Sequence, residues 1–105
     1  MTATAPENPN TRLPMPKRDD ALLEKTIVFK LWQALSAEGP MASMVGKDAI
    51  VAATNAKKEL MNRGRSSEEV NALWTNWVSS SGFEVSESHP AFKFYEPFFA
   101  FTNEV

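Results

Sequence analysis

Residues 92–101 read FKFYEPFFAF. Phe92, Phe94, Tyr95, Phe98, Phe99 and Phe101 place six of the chain's eleven aromatic residues within its last fourteen positions. Each ring covers roughly 150–250 Å² when buried, so the six together carry about 900–1,500 Å² of apolar surface. Monomers rarely leave more than a few hundred Å² of contiguous apolar surface in water. The chain's own helices, a second copy or a different protein must therefore cover this stretch. Pro90 and Pro97 interrupt it, and Phe92-Lys93-Phe94 alternates as Phe83-Glu84-Val85 does. That pattern predicts short extended pieces over 83–105, with one edge strand or hairpin, because prolines bar a central strand. A single helical turn after Pro90 is the alternative.

Upstream, the periodicity is helical. Ser66-Ser67-Glu68-Glu69 fits a capping box, in which Ser66 bonds forward and Glu69 reaches back. Val70, Leu73, Trp74, Trp77 and Val78 follow on one stripe, and Ser79-Ser80-Ser81-Gly82 ends the helix. Two indoles on one stripe read as core anchors. A second helix is predicted over 48–63, with Gly64 as its C-terminal cap and a small-residue face of Ala49, Ala53, Ala56 and Leu60. Met41–Gly46 is ambiguous and could add a turn. A first helix starts at Asp19 or Asp20 and stops before Gly39-Pro40, with Leu23, Ile27, Val28, Leu31, Ala34 and Leu35 on its inner face. Leu22 and Phe29 fall among its polar positions. Pro6, Pro9, Pro14 and Pro16 exclude helix from residues 1–18, which read as a flexible or extended arm.

The expected fold is thus mainly α: a three-helix bundle over 19–105 as a single domain, a proline-rich arm over 1–18, and an aromatic extended segment over 83–105. At 105 residues there is room for one core. The composition has no cysteine, which removes disulfides, thiolate nucleophiles and Cys-type metal sites, and fits a cytoplasmic address. No apolar run is long enough to span a bilayer. The net charge of −2 conceals a gradient: residues 1–45 sum to zero, 46–65 to +3 and 66–105 to −5.

Chemistry is sparse. His89 is the sole histidine, and although Ser86, Glu87 and Ser88 lie nearby, consecutive residues of an extended stretch point apart. A turn or capping role accounts for it. Asp19-Asp20 and Glu68-Glu69 sit at helix starts, where capping and the helix dipole explain them. Gly39, Gly46, Gly64 and Gly82 are isolated and fall at predicted element boundaries, so there is no phosphate loop. No catalytic residue, metal site, cofactor or small-molecule ligand is expected.

The function class these features favour is a non-enzymatic protein-binding module: an accessory subunit, assembly factor or small inhibitor. Interfaces are enriched in aromatic anchors. The candidate anchors are Phe29, Phe94, Tyr95, Phe98, Phe99 and Phe101, and the partner is another protein or a second copy of the chain. The alternative is a nucleic-acid-associated helical protein using the basic 47–65 stretch through Lys57, Lys58, Arg63 and Arg65. It is disfavoured because the following helix has no Lys or Arg and opens on two glutamates. Ending the chain after Ser88 is expected to abolish partner capture and leave the helices mostly intact. Melting of the helices would instead place the segment in the core and overturn this assignment of anchors.

Overall fold

Capping chemistry places the first and third helices where the sequence puts them, the second starts earlier than expected, and a fourth forms where extended chain was expected. The computed structural model describes residues 5–9 and 12–102. Helix α1 spans Asp20–Ser36, with the Asp19 carboxylate accepting from the Leu22 amide at 2.8 Å. Helix α2 spans Ala42–Asn62, and α3 spans Ser67–Ser81 with both arms of its capping box made. Gly82 closes α3 in the left-handed region at φ 77°, a conformation that favours glycine. Helix α4 spans Phe92–Ala100. Among the described residues there is no strand.

Two expectations change here. Among the described residues the bundle has four α-helices, because α4 replaces the extended aromatic segment, and no edge strand or hairpin forms there. The rings of 92–101 follow a helical period after all: Phe94, Phe98 and Phe101 fall on one face, Tyr95 and Phe99 on the next. Pro90 precedes the helix. Pro97 is its sixth residue and gives up a single backbone bond. Nine residues are too few to hold a helix in water unaided, so packing of both faces supplies what propensity does not.

Helix α2 also starts six residues earlier than the predicted Asp48. Gly46 was read as a boundary glycine, yet it lies buried inside α2. A Cβ added there would collide with the Cβ of Ala91 and sit 3.3 Å from the Ala34 carbonyl oxygen. This glycine therefore marks a close approach and ends nothing.

The helices α1 and α2 form the principal packed pair. Their facing surfaces bury Leu23, Ile27, Leu31 and Ala34 against Ala49, Ala53, Ala56 and Leu60. Small alanines on α2 let the two backbones come close. Helix α3 adds Val70 and Trp74, and α4 closes the remaining side with Phe98. The connection between α3 and α4 is pinned by His89. Its Nδ1 accepts from the Ala91 amide at 3.0 Å, which leaves Nε2 to donate to the Ala37 carbonyl at 2.8 Å. His89 thus ties the start of α4 to the end of α1.

Residues 5–9 form no regular element, and Met15–Lys17 make one 3-10 turn. Glu7 pairs with Lys25 at 2.9 Å, Pro9 is buried, and Met15 packs on the core. Residues 1–4, 10, 11 and 103–105 lie outside the described residues, and so do the parts of the arm and of the aromatic segment predicted there. No helix among the described residues is long and apolar enough to cross a membrane.

Candidate functional site

The six candidate anchors divide into core and surface. Phe98 is buried at 1% exposure. Tyr95 and Phe99 are half-buried: Tyr95 meets Trp74 edge-on at 6.5 Å and Phe99 at 4.8 Å, and its hydroxyl accepts from Trp74 Nε1 at 2.7 Å. Burial pushes the Tyr95 phenol upward, opposed in part by that bond. Phe29 stands apart on α1 against Trp32, 5.6 Å away. Phe94, which also packs on the core with part of its ring, and Phe101 remain. With Pro97 and the edge of Phe98 they form one wall of an open groove of about 360 Å³ between α2 and α4.

The opposite wall comes from α2. Lys47, Val51, Thr54 and Lys58 recur at four-, three- and four-residue intervals, so one helix face carries them all. Sequence reading assigned no groove role to Lys47, Val51 or Thr54, although this stripe was visible once α2 was extended upstream. Val51 is 48% exposed, and Met44, two turns earlier on the same face and 57% exposed, continues the apolar surface. Lys47 lies 5.8 Å from the Phe94 ring centre, Lys93 lies 5.2 Å from that ring, and Lys58 lies 5.1 Å from Phe101.

Lys57, next to this wall, points inward and is fully buried. Its ammonium donates to the Phe98 carbonyl at 2.6 Å, to Asn71 Oδ1 at 2.9 Å and to the Phe99 carbonyl at 3.4 Å. Asn71 donates back to the Phe99 carbonyl at 3.1 Å, and Ser67 Oγ donates to the Phe101 carbonyl at 2.9 Å. The last carbonyls of a helix lack intrahelical donors and carry the negative end of its dipole. Lys57, Asn71 and Ser67 therefore form the cap of α4, and they fix the groove wall that Phe94 and Phe101 build.

Burial pushes the Lys57 pKa down to about 8 from 10.5. Between those two pH values the unfolded chain binds more protons than the folded one, so Lys57 makes stability rise as pH climbs from about 8 to 10.5. Below about 8 its contribution is flat. Urea unfolding of the wild type and of Lys57→Met from neutral to alkaline pH isolates this effect from other titrating groups. The wild type is expected to gain on the variant across that window. An unchanging difference would mean that the carbonyls and rings solvate the ammonium as well as water does.

The four residues of the nucleic-acid alternative do not share an open basic face. Lys57 is buried; Arg63 pairs with Asp20 at 2.9 Å and Glu59 at 3.0 Å; Arg65 pairs with Glu24 at 2.9 Å and Glu69 at 3.3 Å. Lys58 alone keeps its charge outward. His89 is engaged by backbone groups on both ring nitrogens, as a turn residue would be. Among the described residues no three His, Asp or Glu side chains gather where they could hold a metal. In comparisons with known proteins, the chain matches no family model, no curated protein and no solved structure.

Proposed function

We propose that this chain is a non-enzymatic protein-binding module, an accessory subunit, assembly factor or small inhibitor, that receives a segment of another protein in the α2–α4 groove. The observation that carries the reading is the groove itself, where Phe94, Pro97, Phe101 and Val51 leave apolar surface facing solvent between two helices. A helix-flanked apolar cleft is a common way to take up a peptide segment. The anchors narrow to Phe94 and Phe101, since Tyr95, Phe98 and Phe99 spend their surface on the core, with Phe29 a secondary contact. A cytoplasmic setting belongs to the same reading and rests on the cysteine-free composition.

Site-specific photocrosslinking tests it. A benzophenone side chain in place of Val51 on the groove wall is expected to give a discrete protein adduct in the native host. The same group in place of exposed Thr75 on α3 should give none. Filling the groove with Thr54→Trp should remove the Val51 adduct. Equal adducts from both positions, or an adduct indifferent to Thr54→Trp, would place the contact elsewhere.

A further inference from the structure

Six of the eleven cations of this chain form two contrasting sets. Lys25, Arg63 and Arg65 pair with Glu7, Asp20, Glu24, Glu59 and Glu69 across the arm and the α1–α3 side. Lys47, Lys58 and Lys93 have no carboxylate within ion-pairing distance among the described residues. All three stand over the rings of the groove wall. Lys47 and Lys58 are exposed and lie eleven residues apart on one face of α2, about 16 Å along its axis at ~1.5 Å per residue. Among the described residues no carboxylate lines the groove, although Asp48 and Glu96 are exposed on the same two helices. An apolar cleft with unpaired positive charge at both ends and none of the opposite sign inside is complementary to an apolar ligand carrying negative charge at both ends.

We infer that the occupant of the α2–α4 groove is an acidic peptide segment whose apolar side chains are flanked by Asp or Glu, an inference that rests on the protein-binding reading above. Its carboxylates meet Lys47 at one end, where Lys93 adds a second charge, and Lys58 at the other. That spacing needs about five residues of extended peptide or about eleven of helix. Single-stranded nucleic acid fits less well, because bases stack on open ring faces. Ammonium groups already sit over Phe94, Phe98 and Phe101, Phe98 is buried besides, and the rest of the lining (Ile50, Val51, Thr54, Asn55 and Pro97) offers no further ring. A second copy also fits less well. Its own acidic apolar stretch begins at Phe83, whose ring is committed to Trp74 at 5.9 Å and Trp77 at 5.7 Å.

The test selects displayed random peptides on the full-length protein and measures the enriched sequences, as synthetic fluorescent peptides, against three variants. Lys47→Glu with Lys58→Glu reverses the end charges at exposed positions and should leave the helical circular dichroism unchanged. Thr54→Trp and Val51→Trp each fill the groove, so one misfolded variant leaves the other in hand. The expected result is enrichment of Leu, Ile, Phe or Met flanked by Asp or Glu, about tenfold or greater weakening by the charge reversal, and loss of binding in the filled variants. Peptides without acidic flanks, or peptides indifferent to charge reversal yet lost on filling, overturn the acidic occupant and leave groove docking intact. Peptides indifferent to filling, or no enrichment, overturn both. Charge-dependent binding of fluorescent oligo-dT would overturn it in favour of nucleic acid. A sedimenting dimer that dissociates on charge reversal would overturn it in favour of a second copy.

Discussion

Ending the chain after Ser88 is expected to melt the three remaining helices, the reverse of what the sequence alone predicts. The cut removes Phe98 and Ala91, both buried, together with Tyr95 and Phe99, which pack against the core from its edge. Truncating one buried aromatic costs about 3–5 kcal/mol, and here several go at once. Polar losses add to this. Lys57 loses the Phe98 and Phe99 carbonyls, and Trp74 Nε1 loses the Tyr95 hydroxyl. Net stabilities of domains are about 5–15 kcal/mol, so the combined loss is enough to unfold the chain. Far-ultraviolet circular dichroism and urea titration of the truncated chain check it. A cooperative transition near the wild-type midpoint would mean that α4 is an attachment to a finished three-helix core. The result also bears on binding assays: loss of partner capture on this truncation would report unfolding, so contact residues have to be probed by substitutions on the groove walls.

Gly46→Val carries the other large expected effect. Replacing a helical glycine by a residue with a Cβ ordinarily favours the helix, by as much as about 1 kcal/mol for alanine and less for a β-branched side chain. Here that gain is outweighed. The first atom added would overlap Ala91, and the two γ-carbons of valine must find room beside the Ala34 carbonyl. Overpacking of a fitted core costs about 1–3 kcal/mol per site and occasionally more. Relief requires the Ala91 turn to lift from α2, and with it the start of α4. The expected outcome is a lower urea midpoint for Gly46→Val, a smaller loss for Gly46→Ala, and faster amide exchange across 91–101 than across α1. Stabilisation by Gly46→Ala would show that the turn yields easily and that helix propensity decides the site.

Where local chemistry carried its own signal, sequence and structure agree. Asp19 caps α1 through a single carboxylate bond, and the Ser66–Glu69 box fixes the start of α3. Both interactions close within three residues, so no distant partner is needed to read them. The alanine face of α2 was legible for a similar reason, since its period alone identifies the buried side. The fourth helix was not legible in that way. Two prolines and a local alternation argued for extended chain, and the helix persists through contacts with residues 20–50 positions away in sequence, Lys57, Asn71 and Trp74 among them. Gly46 was misread because a glycine at a boundary and a glycine under a crossing backbone look the same in one dimension.

Composition and period by themselves determined that this chain is mainly helical, where two of its helices begin, and that its aromatic end had to be covered. Tertiary structure alone decided how the covering is shared. Phe98, Tyr95 and Phe99 turn toward the bundle, Phe94 and Phe101 toward the groove, and one lysine of the adjacent pair Lys57-Lys58 goes inside while the other stays in water. The reason is geometric. Neighbours on a helix point about 100° apart, so which of them is buried depends on where the next element lies, and α4 takes its place from packing across the fold.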